Sequence, residues 1–321
     1  MAFKINSKPF IIGAAATALA FGMAGYVWRE EHREPILEVY VFNLKSGSSV
    51  FVRTPDDKRM LINGGANSEV IRELTNILPF YSRRIDTVIA TVADGKEVSG
   101  LIDVLERYSV DNVVVPAVTL QSLGLASTTD QIYSTFLDTV RRLKIPLREV
   151  SVDDVLDLGR NISGQMVGRH GAANQKVRAE ILFPAASSNG EKFQYSRASA
   201  PEIIMRISYG QTSVMLLGNA TTKVQKFIAS STGSIISGDL RTNVLVVPHS
   251  ISADSLSAAL MNEIKPEYLV YSQAITSSSK KSTKKPAKVD PLYFILADKR
   301  FNLKDKGTVK MASDGTTINI I

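Results

Sequence analysis

Four polar side chains in the sequence are candidates for holding a metal ion: Asp94, Glu97, Asn219 and His249. Carboxylate and amide oxygens are the ligands that Mg²⁺ and Ca²⁺ prefer in proteins. A structural interpretation competes with this one, because Asp94 before Gly95 is typical of a turn and Glu97 suits the first turn of a following helix. A histidine at a strand end, such as His249, commonly makes a local hydrogen bond. We therefore expect no catalytic residue and no metal site, with these four residues as the remaining metal candidates.

Composition excludes several classes of function. The 321 residues include no cysteine and only three histidines. A disulfide framework, an iron–sulfur cluster, a zinc–thiolate site and a cysteine nucleophile are therefore excluded, and a histidine-rich metal centre is disfavoured. The sequence also contains neither the Gly-x-Ser-x-Gly elbow of serine hydrolases nor a glycine-rich phosphate-binding loop.

The positive charge is concentrated in one segment. The formal net charge is +7, and a single short stretch supplies five lysines: Lys280, Lys281, Lys284, Lys285 and Lys288. A broad basic face for duplex DNA is not expected, because the rest of the chain is nearly neutral. Together with Lys96, these lysines are the predicted polyanion-binding residues, although a solvated charged loop is the common role of such a segment.

The hydrophobic pattern indicates how the candidate residues are positioned. Beyond Pro35 it predicts three short strands and then alternating helices and strands. A buried strand over 87–91 and a helix with apolar residues at Val98, Leu101, Ile102 and Leu105 leave Asp94 and Glu97 between strand and helix. In the second half, a hairpin turning at 209–211 precedes Asn219, and a strand over 244–247 precedes His249. We predict one domain of mixed α/β layers.

The N-terminal segment indicates export. Residues 10–28 are uncharged and mainly apolar, which is about the length of a membrane-spanning helix, and Tyr26 and Trp28 suit its outer interface. We predict a cytoplasmic tail at 1–9, an anchor at 10–28, a linker at 29–36 and a domain at 37–321 on the extracytoplasmic side of the cytoplasmic membrane, in a single-pass topology. The alternative is a signal peptide cleaved near Gly22-Met23-Ala24, which also exports the domain.

The order of several motifs matches a known pattern. Leu61-Ile-Asn-Gly-Gly65 stands for Leu-Ile-Asp-Gly-Gly, Arg84-Ile-Asp-Thr-Val-Ile-Ala-Thr91 leads into a loop, and Leu217-Gly218-Asn219 stands for a Gly-Asp pair. In these motifs residues 37–321 resemble the metallo-β-lactamase superfamily, and within it the β-lactamase-like domain of ComEC-type competence (DNA-internalisation) proteins. The resemblance implies an α/β fold, an αββα sandwich with a metal site at one edge of its sheets.

The family's metal-binding motifs are degenerate here. Where the family has Thr-His-x-(His/Asp)-x-Asp-His-x-Gly-Gly, residues 91–100 carry Val92 and Lys96 at ligand positions, and the HxHxDH pattern is absent. Asn219 replaces the bridging aspartate, Pro248-His249 retains one imidazole, and Asn43, Ser48 and Asn63 also stand at family aspartates. The zinc or manganese of the family needs deprotonated ligands, so the resemblance implies that the cofactor is lost.

These observations predict a membrane-anchored, catalytically inactive binding or interaction domain. By resemblance, its basic loop at 277–289 borders the vacated pocket, and the expected partners are the membrane and DNA or another anionic envelope polymer. One alternative is a metal-dependent phosphodiesterase or nuclease with a non-standard site at Asp94, Glu97, Asn219 and His249. Another is a docking subunit for a protein partner such as an active paralogue.

Overall fold

A computed structural model describes residues 35–119, 131–158, 176–184, 193–196, 201–231, 236, 239–247, 256–272 and 295–321. The predicted tail, the predicted anchor at 10–28, most of the linker, His249 and the basic loop at 277–289 lie outside the described residues. Within the described ranges, no helix has the length and apolar character needed to cross a membrane.

The described strands form two sheets. The first contains β1 (Leu37–Val41), β2 (Val50–Arg53), β3 (Arg59–Ile62), β4 (Arg84–Ile89), β5 (Ser109–Pro116), β6 (Leu147–Val150), β14 (Val309–Ser313) and β15 (Ile318–Ile320), in the order β15-β14-β1-β2-β3-β4-β5-β6. The second contains β7 (Val155–Asp157), β8 (Arg178–Phe183), β9 (Ile204–Tyr209), β10 (Thr212–Leu216), β11 (Val244–Val247), β12 (Tyr268–Tyr271) and β13 (Arg300–Asn302), in the order β13-β12-β11-β10-β9-β8-β7.

Helices connect many of these strands. Those in the described residues are α1 (Glu69–Ile77), α2 (Gly95–Arg107), α3 (Gln131–Arg142), α4 (Thr222–Ser231), α5 (Ala258–Ile264) and α6 (Leu303–Lys306), with a 3₁₀ turn at Ala297–Lys299. Strand β3 pairs in parallel with β4, and β4 with β5, while β10, β11, β12 and β13 are also parallel neighbours. Parallel neighbours need crossover connections, and α2 and α5 lie within two of these crossovers.

Alternating side chains divide the core into layers. Val52 of β2 and Val214 of β10 belong to one buried cluster that contains residues of both sheets, so the sheets pack face to face. Phe51 points to the opposite side and packs in a cluster with Leu101 of α2. The outer face of the second sheet is covered by helices α4 and α5 in a third cluster. The expected αββα layering is therefore confirmed.

The topology brings the loops at one edge of the two sheets together. Asn63 follows β3, Thr91 follows β4 and Asn219 lies beyond β10, so all three lie where parallel strands end. The two sheets meet at this edge, because the Ile203 amide donates to the Thr91 carbonyl at 2.7 Å and Val92 pairs with Glu202 in an isolated β-bridge. We call this the carboxyl-end edge, and the opposite one, where β3, β4 and β5 begin, the amino-end edge.

At the amino-end edge, an ion-pair cluster gives a pH-dependent prediction. The Arg53 Nε donates to Glu38 at 2.6 Å and the Lys310 Nζ lies 2.9 Å from the same carboxylate. Burial alone would raise the pKa of Glu38, but the hydrogen bond from Lys310 and the charges of Arg53 and Lys310 outweigh it and hold the pKa below 4.5. The stabilisation is therefore complete above pH 4.5 and is lost as the pH falls through the lowered value.

We expect Glu38→Gln to lower the free energy of unfolding by about 2 kcal/mol at pH 7, since two charge-assisted hydrogen bonds are weakened. The difference from the wild type should shrink as the pH falls from 5 towards 3, and urea unfolding across this range measures it. A difference that stays constant down to pH 3 would show that the Glu38 charge is not responsible.

Candidate functional site

Asp94 caps the N-terminus of helix α2. Its side chain accepts a hydrogen bond from the Lys96 amide at 2.8 Å, and its backbone is extended, as is usual for a residue that caps a helix N-terminus. The Asp94 side chain is otherwise exposed to solvent. The structural interpretation of Asp94 is confirmed, and such a cap stabilises a helix by about 1 kcal/mol.

Glu97 has a further role beyond that of an acid in the first helical turn. Only 3% of Glu97 is exposed. Its Oε2 accepts hydrogen bonds from the Ser48 amide at 3.0 Å, from the Ser48 hydroxyl at 2.6 Å and from the Asn63 side-chain amide at 3.1 Å. Glu97 lies in the first turn of α2, as predicted. Its carboxylate points into the carboxyl-end edge and joins two loops to α2, which the local pattern did not indicate.

Asn63 extends this network to the end of β4. Its Oδ1 accepts from the Thr91 amide at 2.9 Å, and its Nδ2 donates to the Thr91 hydroxyl at 2.9 Å. The Asn63 backbone is left-handed, with φ of 58°, a conformation that asparagine tolerates better than most residues. The Ser49 hydroxyl donates to the Asn63 carbonyl at 2.9 Å. Asn63 thus fixes the ends of β3 and β4 relative to each other.

Glu97 supplies the single carboxylate of this network, and neutral groups donate to it. Ser48 and Asn63, at which the resemblance implies aspartates in the family, both donate hydrogen bonds to Glu97. If both positions were aspartates, three carboxylates would converge in a buried space, and like charges at that distance destabilise one another unless a cation lies between them. The neutral donors remove the need for a cation at Glu97.

Close backbone packing supports the same region. The Gly64 amide donates to the Glu97 carbonyl at 2.7 Å and the Gly100 amide donates to the Gly65 carbonyl at 3.0 Å. A Cβ atom at Gly100 would overlap the Gly64 carbonyl oxygen and lie 2.6 Å from the Asn67 carbonyl oxygen. Helix α2 therefore contacts the loop after β3 directly through backbone atoms, and this contact holds Glu97 in place.

A second buried carboxylate, which the sequence analysis missed, lies at the same edge. Glu202 is 6% exposed, and its Oε2 accepts from the Asn219 amide at 3.0 Å. A Cβ atom at Gly218 would overlap the other oxygen of this carboxylate, which shows how closely it approaches the turn after β10. The only sequence signal is an acid between Pro201 and the apolar run that starts at Ile203.

The described donor set does not fit the zinc or manganese that the resemblance implies. Such ions need several deprotonated ligands directed at one point. Asp94 is exposed and caps a helix, whereas Glu97 is buried and accepts three hydrogen bonds. Across the part of the chain that the structure describes, no group of three or more histidine, aspartate or glutamate side chains could hold a metal. The side chains of Asp94 and Glu97 thus have separate hydrogen-bond partners, and His249 lies outside the described residues.

Lys96 is exposed and makes no ion pair with another described residue. Its side chain is therefore accessible to a negatively charged ligand at the carboxyl-end edge. Strand β12 ends at the same edge, since its last residue, Tyr271, pairs with Val247 at the end of β11. The five-lysine segment follows in the sequence and lies outside the described residues.

A polar cleft of about 530 Å³ lies away from this site. Thr212 and Asn243, at the amino ends of β10 and β11, contribute to its lining. Both arginines of its lining are paired, Arg206 with Glu180 at 2.8 Å and Arg241 with Asp239 at 2.6 Å. The cleft therefore adds no residue to the carboxyl-end edge.

No protein-family model and no curated protein matches this chain. Among solved structures, a mutant of the β-hydroxylase CmlA is similar at 16% identity and a TM-score of 0.40, over 74% of this chain and 46% of that one. A subclass B3 metallo-β-lactamase from a soil metagenome library is similar at 10% identity and a TM-score of 0.36, over 65% of this chain and 75% of that one. A metallo-β-lactamase mutant from Cronobacter sakazakii is similar at 10% identity and a TM-score of 0.39, over 65% of this chain and 74% of that one. Likeness of this degree concerns the fold alone.

Proposed function

We propose that this chain is a non-catalytic domain of metallo-β-lactamase type, similar to the β-lactamase-like domain of ComEC-type proteins. In this proposal residues 10–28 tether it to the extracytoplasmic side of the cytoplasmic membrane, and its carboxyl-end edge binds a polyanion such as single-stranded DNA. Its scaffold would thus serve binding rather than hydrolysis.

The observation that carries the non-catalytic part is the hydrogen bonding of Glu97. A carboxylate that binds a catalytic metal ion must offer an oxygen lone pair to the ion. In this chain the Glu97 Oε2 is within hydrogen-bond distance of three donors from Ser48 and Asn63, all supplied by the protein. Releasing that oxygen for a metal would leave buried donors unsatisfied, which costs about 1–3 kcal/mol for each group.

The polyanion part rests on charge and placement. Lys96 is exposed at the carboxyl-end edge, and the segment that follows β12 in the sequence supplies five further lysines. Lysines that neutralise phosphates release counterions, so affinity falls as salt rises. For about five contacts to single-stranded DNA, affinity should fall roughly 100-fold between 50 and 200 mM salt.

One experiment tests both parts. The full chain is incubated with an end-labelled single-stranded oligonucleotide in Mg²⁺, Mn²⁺ or Zn²⁺ at two salt concentrations, and binding and strand length are measured in the same samples. We expect salt-sensitive binding of an intact oligonucleotide, and binding at least ten-fold weaker when the five lysines are changed to glutamine.

Two outcomes would contradict the proposal separately. Absent or salt-independent binding would remove the polyanion part. Metal-dependent cleavage that is lost in Asp94→Ala, but kept in the surface variant Asp138→Ala, would favour the phosphodiesterase hypothesis instead. Asp138 is a suitable control because its side chain is 72% exposed and pairs only locally with Arg141.

A further inference from the structure

An exposed aromatic pair lies in the loop between α1 and β4. Phe80 is 88% exposed and Tyr81 is 75% exposed, and their rings pack edge to face with centroids 5.3 Å apart. Single exposed apolar residues are common on protein surfaces, but two adjacent rings with most of their area in solvent are not stabilised by the core. The pair therefore presents an apolar surface outside the folded core.

Two arginines accompany the aromatic pair. Arg83 follows it in the same loop, and Arg107 ends α2 in the neighbouring loop, to which Arg83 is joined by a hydrogen bond from the Ser109 amide to the Arg83 carbonyl at 2.8 Å. Burial raises the pKa of Tyr108, and the nearby positive charges of Arg83 and Arg107 oppose that rise. Both arginines are exposed, and neither forms an ion pair with any residue that the structure describes.

Arg84 differs from these two arginines. Its guanidinium pairs with Asp111 at 2.5 Å and lies 3.6 Å from Asp86. Its charge is therefore neutralised within the protein, while those of Arg83 and Arg107 are open to a negatively charged partner. We call Phe80, Tyr81, Arg83 and Arg107 the aromatic–arginine corner.

The corner lies at the edge where the chain leads into the domain. Strand β1 is antiparallel to β2, and β2 is antiparallel to β3, so β1 and β3 run in the same direction. The start of β1 therefore lies at the amino-end edge, where β3 also begins. Strand β4 starts at Arg84 at the same edge, three strands away, or about 14 Å at the usual strand spacing. Residues 29–36 between the predicted anchor and β1 reach at most about 28 Å when fully extended. A tether at 10–28 would therefore be joined to the domain at the amino-end edge.

We infer that the aromatic–arginine corner rests on the surface of an anionic lipid bilayer. Phe80 and Tyr81 enter the interfacial region, where amphipathic aromatic rings are favoured. Arg83 and Arg107 bind lipid phosphates, for which the guanidinium fork is well suited. The contact extends the proposed tether, fixes the orientation of the domain and leaves the carboxyl-end edge facing away from the membrane.

The absence of cysteine allows a site-specific test with the full chain. Asn76→Cys places a label in the exposed last turn of α1, beside the corner but outside it. Lys45→Cys places one on the carboxyl-end edge, where the lysine side chain is 86% exposed. Each variant carries an environment-sensitive fluorophore and is reconstituted in vesicles that contain nitroxide-labelled lipids.

In vesicles containing phosphatidylglycerol, we expect quenching at position 76 to exceed that at position 45 at least five-fold. Changing both Arg83 and Arg107 to glutamine should weaken the contact about five-fold per arginine, and Phe80→Ser with Tyr81→Ser should abolish the excess quenching. In vesicles of pure phosphatidylcholine, the unchanged corner should show the same weakened contact as the variant that lacks both arginines does in anionic vesicles.

Equal quenching at the two positions, or excess quenching that survives both pairs of substitutions, would overturn the inference. Flotation of the chain with phosphatidylcholine vesicles reports on the tether separately. If the chain floats with phosphatidylcholine vesicles but shows no excess quenching at position 76 in anionic vesicles, the corner contact is refuted and the tether is not. If excess quenching occurs in anionic vesicles but the chain does not float with phosphatidylcholine vesicles, the corner contact is supported and the tether is refuted.

Discussion

Replacing Glu97 by alanine is expected to lower the free energy of unfolding by about 3–5 kcal/mol, the range for breaking a buried charged network by removing one partner. The substitution removes the acceptor of the Ser48 amide and of the Ser48 hydroxyl, and the Asn63 side-chain amide loses one of its acceptors but keeps the Thr91 hydroxyl. Each buried donor that loses its partner costs about 1–3 kcal/mol. Urea unfolding followed by circular dichroism measures the change.

A matched control lies on the same helix. Glu106 is also in α2, but its side chain is 46% exposed and pairs with Arg142 at the surface. Since exposed ion pairs contribute about 1 kcal/mol or less, Glu106→Ala should have a small effect. If Glu97→Ala destabilised the protein no more than Glu106→Ala, the hydrogen bonds of Glu97 would not be the reason for its burial, and the main support for a non-catalytic site would be lost.

The parts of the fold with strong local patterns could be predicted from the sequence. Strands β1, β2 and β3, helix α2 and the hairpin of β9 and β10 have clear periodicity or turn residues, and the structure contains each of them. Strands β6, β7 and β13 have only three or four residues each and were not predicted. They depend on pairing with neighbouring strands, which a local pattern does not contain.

The candidate site shows the same division. The role of Asp94 depends on residues next to it in the sequence, so the local pattern was sufficient to predict a structural role for it. The role of Glu97 depends on Ser48 and Asn63, which lie 49 and 34 residues away in the sequence. Glu202 contacts Asn219 across the turn after β10 and has no distinctive motif. Side chains whose partners come from distant loops are identified only when the topology is known.

Replacing Gly100 by alanine tests whether α2 must approach the Gly64 loop so closely. Alanine favours a helix interior by about 1 kcal/mol over glycine. At this position, however, the new Cβ would overlap the Gly64 carbonyl oxygen and crowd the Asn67 carbonyl oxygen, and backbone atoms yield less readily than side chains. We expect a net loss of about 2 kcal/mol or more in the free energy of unfolding, within the range for overpacked sites.

The neighbouring substitution Ser99→Ala separates helix propensity from packing. Ser99 is half-buried on the same helix, and alanine should leave stability unchanged or raise it slightly there. Gly100→Ala and Glu97→Ala should also be non-additive, because both disturb the loop in which the Gly64 amide donates to the Glu97 carbonyl. Equal stabilisation by both alanine substitutions, or strict additivity in the double variant, would show that α2 and this loop are not held as one unit. In that case the buried carboxylate would be free to reorient towards a ligand.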